Sequence, residues 1–239
     1  MRSALRGSNS PEPIPLDTSP KAIDEDIKKM SELFAADENE NWELRENMLQ
    51  HFRRIIRGNS SEIDNYSTAI RLGIETVCEH ISSQRTTLVI TACGTLVDAC
   101  FFFKDHSDIT TEMILIALIN LCGSSKKLLS NTGFNAVRIS ITFLPWNHRF
   151  PHILAGLATD KNSLIRQATI ECVSLLLMKC ENDSNLQNHL ERGDLLELLE
   201  SIIKEALIDA SPPVREFGKD ALHYLNLIWP QKAEMLLIS

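Results

Sequence analysis

Glycine is scarce in this 239-residue sequence, which contains only nine, and aromatic residues make up 6% of it. No convincing strand signal interrupts the chain, because its apolar residues keep the 3.6-residue period of helices from residue 21 onward. The composition, 44% hydrophobic and 23% charged, is that of an ordinary folded domain. The sequence therefore predicts an all-α protein.

Common catalytic motifs are also missing. There is no glycine-rich phosphate loop, no His-Glu-x-x-His and no Gly-x-Ser-x-Gly. Cys78 and His80 are two residues apart, so a helix points them to different faces, and His148 and His152 share a face without a third ligand in view. We therefore predict no enzyme activity, no metal and no cofactor.

No two cysteines have Cys-x-x-Cys spacing. All six lie inside apolar helical runs, at Cys78, Cys93, Cys100, Cys122, Cys172 and Cys180. This placement predicts buried, reduced thiols, which are typical of cytosolic or nuclear proteins.

Long hydrophobic runs are absent too. The most apolar segment, 113–121, is far shorter than the roughly 20 residues that span a bilayer, and no signal-peptide-like run is present. The net charge is −8, and most of it comes from residues 22–43, which contain eight acidic residues and only two lysines. We therefore expect neither a membrane nor a nucleic acid as partner, while local basic patches remain compatible with a nearly neutral remainder.

The chain divides into a tail and a domain. Residues 1–20 carry Pro11, Pro13, Pro15 and Pro20 with little to bury, which predicts a flexible linker or tail. Residues 21–239 are predicted to form one domain, monomeric in isolation. Because a helix is under way where the sequence stops, we expect the domain to belong to a longer protein that contains further regions.

Apolar periodicity predicts eleven helices. Asp194 precedes the clearest stripe as an expected N-cap. The predicted helices are 22–35, 42–57, 64–81, 84–103, 109–122, 126–143, 149–158, 163–180, 194–208, 212–228 and 231–238.

The second predicted helix places Trp42 at its first position. Its buried stripe does not need Trp42, so the ring is predicted to be exposed as a contact residue. The alternative is that Trp42 packs against Phe34 or Leu33. The stripe consists of Leu44, Met48, Leu49, Phe52, Ile55 and Ile56.

The helices pair with a regular period. The turns within successive pairs, here numbered 1 to 5, begin at intervals of 42, 42, 37 and 49 residues, close to the roughly 40–47 residues of HEAT units. Their first residues are Asn41, Ser83, Ser125, Asn162 and Ser211. We therefore predict a HEAT-repeat α-solenoid in which 22–238 form one continuous right-handed array, with Ser211 capping and Pro212 at the first position of its helix.

Stacked pairs bring their turns to one edge, which makes the turn residues the predicted binding surface. One aromatic turn is followed by four basic turns, a pattern that favours an extended acidic partner. The alternative is that the basic side chains are solvated, or that Arg166 and Arg215 pair internally with Asp160 and Asp209. The candidate residues are Trp42, Arg85, Lys126, Lys127, Lys161, Asn162, Arg166, Arg215 and Lys219.

These turns resemble those of a TOG domain of the CLASP family of microtubule regulators, in particular its second, Trp-bearing TOG domain of fungal type. The resemblance rests on Asn-Trp-Glu-Leu-Arg at 41–45, Ser-Ser-Lys-Lys-Leu-Leu at 124–129, and Arg215 with Lys219 after Asp209. Two features differ from the family pattern. Turn 4 carries a single arginine, Arg166, where the family has a run of arginines, and the helix after turn 5 begins with Pro-Pro, which is unusual.

The resemblance implies binding of αβ-tubulin and microtubules through the turn edge, with the first turns toward β-tubulin and the later ones toward α-tubulin. It also implies catastrophe suppression and rescue in the cytoplasm, cytoskeleton, mitotic spindle and kinetochore. The alternative is a generic HEAT-repeat adaptor that binds a peptide or protein along its concave face.

Overall fold

The computed structural model describes residues 14–16, 18–36, 38–58, 67–103, 111–144 and 146–238. Within these ranges the chain forms twelve α-helices and no strand, which confirms the all-α prediction. The helices are α1 (Pro20–Ala35), α2 (Glu38–Gly58), α3 (Ser67–Glu79), α4 (Thr86–Phe102), α5 (Thr111–Cys122), α6 (Lys127–Phe143), α7 (Phe150–Ala158), α8 (Ser163–Cys180), α9 (Ser184–Leu190), α10 (Leu195–Leu207), α11 (Pro212–Ile228) and α12 (Pro230–Ile238).

The helices group into two compact units, Met1–Pro145 with α1–α6 and Trp146–Ser239 with α7–α12. In unit 1, α1 packs on α3 and α3 on α5, while α2 packs on α4 and α4 on α6. Each odd helix also contacts its even partner, so unit 1 consists of helix pairs that stack on their neighbours. This is the packing expected of HEAT repeats.

The α4 helix occupies the middle of the even layer, and all ten residues from 91 to 100 are buried. One of them is Asp98. Its carboxylate accepts hydrogen bonds from Arg53 Nε at 2.8 Å and from Arg57 Nε at 2.9 Å, both on α2. Two guanidinium groups thus compensate one nearly buried carboxylate, and they fix α2 against α4.

Gly133 allows α5 and α6 to approach closely. A β-carbon at this position would lie 2.9 Å from the backbone nitrogen of Cys122. Ser130 Oγ, one turn earlier, donates to the Cys122 carbonyl at 2.7 Å and closes the same contact.

In unit 2, α8 packs on α11 and α7 on α10, and each pair α7–α8 and α10–α11 is also in contact. The repeat packing of unit 1 therefore recurs here. The short α9 contacts α8, and α12 packs on α11 with Ala233 at its centre.

The predicted helix residues 64–66 and 109–110 lie outside the described residues. Within the described residues, helix boundaries differ from the prediction mainly in two places. The α2 helix begins at Glu38 instead of 42, because 38–41 contain neither proline nor glycine to stop it. The α9 helix was not predicted. It is short and largely polar, and it begins where Asp183 Oδ1 accepts hydrogen bonds from Asn185 N and Leu186 N, both at 3.1 Å.

Some predicted side-chain roles are wrong. Leu44 is 56% exposed and does not belong to the buried stripe of α2. Asp194 and Ser211 occupy N-cap positions, but neither side chain makes a capping bond. The Asp209 carboxylate accepts from the Ser211 backbone instead, at 2.7 Å, while Pro212 does begin α11.

The described contacts begin before residue 21. Leu16 N donates to the Arg54 carbonyl at 2.9 Å, and Arg54 Nε donates to the Ile14 carbonyl at 3.1 Å. The backbone of Leu16 passes so close to Gly58 that a β-carbon there would overlap it. Residues 14–16 therefore lie against the end of α2.

All six cysteines are free thiols, five of them buried and Cys78 half-buried. Burial raises the pKa of Cys93 and of Cys100 to about 12, so both remain protonated at neutral pH. In the described part of the chain, none of the helices combines the length and apolarity that a membrane span requires. The same residues contain no group of three or more His, Cys, Asp or Glu side chains placed to hold a metal.

Candidate functional site

Trp42 lies in the second turn of α2 and is half-buried, so the prediction of an exposed ring at the first helical position is wrong. Its ring is covered by the guanidinium of Arg85, which lies 5.3 Å from the ring centroid. Arg85 is exposed and occupies the N-cap position of α4. A cation–π contact thus joins the first part of α2 to turn 2.

Arg45 holds the backbone just before α2 in place. Its side chain is nearly buried, with Nη2 donating to the Phe34 carbonyl at 2.9 Å and to the Ala36 carbonyl at 2.6 Å. The guanidinium also lies 5.1 Å from the Phe34 ring centroid. Arg45 therefore fixes the turn that precedes Trp42, a role that an arginine within a polar stretch did not signal in the sequence.

Turns 2 and 3 are also in contact. Lys126 Nζ donates to the backbone carbonyl of Gln84 at 3.3 Å and to its side-chain oxygen at 3.4 Å. Ser83 Oγ accepts from Arg85 N at 3.0 Å, and Ser124 Oγ accepts from Lys126 N at 3.3 Å, so each turn is closed by its own serine. The structure thus brings Trp42, Arg85 and Lys126 together on one edge of unit 1, here called the unit 1 edge.

Turn 3 ends in two further exposed side chains. Lys127 is the first residue of α6, and Leu128 beside it is 59% exposed, whereas Leu129 is buried. Leu128 was not predicted as a site residue. The sequence did not distinguish it from Leu129, since two adjacent leucines at a helix start can both be buried, as Leu195 and Leu196 are in α10.

In unit 2, turn 4 is built around Asn162. Its Oδ1 accepts from Leu164 N at 3.0 Å and caps α8, while its own backbone nitrogen donates to Asp160 Oδ1 at 2.7 Å. Lys161 lies between them and is exposed. The turn thus presents a lysine on a hydrogen-bonded frame.

Arg166 connects turn 4 to turn 5. Its Nε and Nη2 donate to the two carboxylate oxygens of Asp209 at 2.6 and 2.9 Å, and its Nη1 donates to the Asp160 carbonyl at 2.8 Å. Hydrogen bonding to Asp209 raises the pKa of Arg166 above its ordinary value. The same bonds, with a further one from the Ser211 backbone, lower the pKa of Asp209.

Arg215 repeats part of this arrangement in turn 5. Its Nη1 donates to the carbonyls of Asp209 at 2.6 Å and Ala210 at 3.0 Å. Arg166 and Arg215 therefore make internal contacts, as the alternative interpretation predicted. The pairing differs, because Arg166 bonds the carboxylate of Asp209 and the carbonyl of Asp160, whereas Arg215 bonds the carbonyl of Asp209. Lys219, one turn further along α11, is exposed and pairs with Glu216 at 2.9 Å.

Ile208, directly before turn 5, is 81% exposed and was also not predicted. The candidate residues thus fall into two groups. Trp42, Arg85 and Lys126 contact one another or one another's turns in unit 1, with Lys127 adjacent. The others lie in unit 2, on turn 4 or in the first two turns of α8 and α11: Lys161, Asn162, Arg166, Arg215 and Lys219.

The fold resembles that of a solved TOG-domain structure. A solved structure of a microtubule polymerase with a tumor overexpressed gene (TOG) domain array matches 80% of this chain and 39% of its own, with a TM-score of 0.61 at 14% identity. Stacked helix pairs with this similarity define a TOG-type HEAT-repeat fold.

The particular family is shown by sequence. The chain belongs to the CLASP N-terminal family, which matches residues 23–239. It is 28% identical to protein STU1 of Gibberella zeae over 95% of its length, and 28% identical to protein stu1 of Aspergillus oryzae over 99%. It spans only 20% of each of these two fungal relatives. The family predicted from the turn residues is thereby confirmed.

Proposed function

We propose that this chain is an αβ-tubulin-binding domain that regulates microtubule dynamics through its intra-pair turns. In the whole protein this activity suppresses catastrophe and promotes rescue, and it stabilises the mitotic spindle and its kinetochore attachments. Family membership supports the proposal, as does the similarity to a structure described for tubulin recruitment and assembly by microtubule polymerases.

The unit 1 edge is the observation that carries the proposal. The start of α2 and turns 2 and 3 are far apart in sequence, and the Trp42–Arg85 and Gln84–Lys126 contacts join them there. They present a half-buried aromatic ring with a guanidinium over it, and two exposed lysines. Such a surface suits an acidic protein partner, because its charges attract that partner and the aromatic ring adds contact area.

The turns of unit 2 contribute differently in this proposal. Arg166 and Arg215 hold the turns in shape, and Lys161 and Lys219 present the exposed charge. Asn162 caps α8 and thereby sets the position of Lys161. By resemblance to the family, we assign the unit 1 turns to β-tubulin and the unit 2 turns to α-tubulin.

Reversing exposed turn charges tests the proposal. Lys127→Glu combined with Lys161→Glu removes two lysines that have exposed side chains, so the fold is expected to remain intact. Binding to tubulin dimers in gel filtration and to microtubules in co-sedimentation is expected to be lost, and wild-type affinity is expected to fall as salt rises.

The matched control is Lys21→Glu combined with Lys28→Glu. These lysines are exposed on α1, away from the turns, and their reversal changes the net charge equally. The control is expected to bind as the wild type does. If the folded Lys127→Glu, Lys161→Glu variant still co-sediments fully at low salt, the turn mechanism is rejected. If both double variants lose binding equally, the loss is an effect of net charge and not of the turns.

One observation favours the adaptor alternative. An apolar groove of about 460 Å³ runs between α1 and α2, lined by Leu33, Leu44 and Met48. A partner with an aliphatic side chain would bury Leu44 there. In that case Leu44→Ser would abolish partner binding while the reversal of Lys127 and Lys161 would leave it unchanged, the opposite of the result expected for tubulin.

A further inference from the structure

Leu128 is an apolar side chain on a polar face. It begins the outward face of α6, which continues with Asn131, Asn135, Arg138 and Thr142. The core of unit 1 is filled from the other side of the helix, by residues such as Leu129 at 4% exposure. Leu128 therefore adds nothing to the α6 core stripe, and its 59% exposure has no explanation in the fold.

The position of Leu128 places it on the unit 1 edge. It lies in the first turn of α6, where Leu129 N and Ser130 N donate to the Lys126 carbonyl at 2.9 and 3.0 Å. Lys126 in turn contacts Gln84, next to Arg85 and the Trp42 ring. Leu128 is thus bordered by basic residues at its own helix start and continues the surface that begins with Trp42.

We propose that Leu128 is a tubulin-contacting residue, buried on binding in an apolar spot that is bordered by carboxylates. This inference rests on the proposed function and specifies the chemistry of its turn 3 contact. Lysines steer the partner and their contribution is screened by salt, whereas burial of a leucine contributes an affinity that does not depend on ionic strength. The basic residues at the start of α6 favour carboxylates around the leucine.

The experiment titrates fluorescently labelled tubulin dimers with the domain at several potassium chloride concentrations. Leu128→Ala removes three side-chain carbons that are partly exposed in the free domain and would be buried on binding. The substitution is expected to weaken binding about ten-fold and to leave its salt dependence unchanged. Lys127→Ala is expected to weaken binding and to make the salt dependence shallower. Leu128→Gln, which keeps a good helix former, is expected to behave like the alanine variant.

The matched control is Leu72→Ala. Leu72 is 44% exposed, but it lies on α3 about two helical turns before the end of that helix. The Leu72→Ala variant is expected to bind tubulin with an affinity within about two-fold of the wild type. This loss is well below the roughly ten-fold loss expected for Leu128→Ala. Thermal unfolding of each variant checks that the fold is retained.

The outcomes separate the two proposals. Suppose that the wild-type domain binds tubulin. If Leu128→Ala then binds equally well, or if Leu72→Ala loses as much affinity as Leu128→Ala, the role of Leu128 is overturned and the proposed function stands. A steeper or shallower salt dependence in Leu128→Ala also contradicts an apolar contact. Failure of the wild-type domain to bind dimers and microtubules at low salt overturns both.

Discussion

At the scale of single residues, Arg45 shows how a charged side chain can serve the fold of a binding surface. It is 2% exposed, and its hydrogen bonds go to backbone carbonyls at the end of α1 and just after it. Those carbonyls lie beyond the last helical hydrogen bonds of α1 and need a donor. Arg45 supplies that donor to the chain just ahead of Trp42.

Arg45→Ala is expected to lower the free energy of unfolding by about 2–4 kcal/mol, because two carbonyl groups lose a charged donor and the buried stem leaves a void. Urea unfolding of the domain measures the change. Arg71→Ala is the control, since Arg71 pairs with Glu75 on the surface of α3 and is expected to cost about 0.5 kcal/mol or less. If the two variants lose equal stability, Arg45 does not clamp the turn.

At the scale of helices and turns, the Arg166–Asp209 pair dominates unit 2. Hydrogen bonding to Arg166 lowers the pKa of Asp209, so the ionised carboxylate stabilises the folded state. For a lowered pKa this stability is fully present above the unfolded value, near pH 4. It is lost as the pH falls through the folded value.

Asp209→Asn is therefore expected to cost about 2 kcal/mol at pH 7 and progressively less below about pH 4, where the wild-type carboxylate also loses its charge. Urea unfolding between pH 3 and pH 7 on both proteins measures this difference. A difference that stays constant over this range would show that the charge on Asp209 does not contribute.

The helices themselves could be predicted well where an apolar stripe is long. The α10 stripe of Leu195, Leu199, Ile202 and Ile203 was visible in the sequence and is buried as expected. The α9 helix was missed because it has seven residues and buries only two. The start of α2 was placed four residues late because Trp42 looks like the beginning of an element, while nothing in 38–41 ends one.

The candidate site was harder to predict than the fold. Periodicity located turns 2 to 5, and the basic residues on them are where the sequence placed them. It does not reveal which charges are used internally, because the partners of Arg166 lie up to 43 residues away. Nor does it show that Arg85 covers Trp42, since hydrogen bonds and ring contacts between distant turns have no local sequence signature.

At the scale of the whole molecule, the sequence predicted a single continuous array of helices. The structure groups the helices into two compact units, so the continuity of the array remains a prediction. The tryptophans provide a test, because Trp42 belongs to unit 1 while Trp146 and Trp229 belong to unit 2. Two single-tryptophan proteins, retaining Trp42 or Trp229, report the two units separately. A continuous array is expected to give coincident urea transitions, and Arg45→Ala is expected to shift both together.

Separate transitions, with Arg45→Ala moving only the Trp42 signal, would contradict the continuous array. Circular dichroism on the same samples checks that both proteins remain helical. The comparison needs no knowledge of the partner and therefore tests the fold apart from the function.

The different ways in which neighbouring turns are connected have a consequence for the entropy of binding. Turns 4 and 5 are joined by a two-pronged bond between largely buried groups, Arg166 and Asp209, whereas turns 2 and 3 are joined by an exposed lysine on Gln84. A surface that is already ordered loses little freedom when a partner arrives, and a loosely tied one loses more. For the proposed tubulin binding, we therefore expect turns 4 and 5 of unit 2 to lose less conformational freedom than turns 2 and 3 of unit 1.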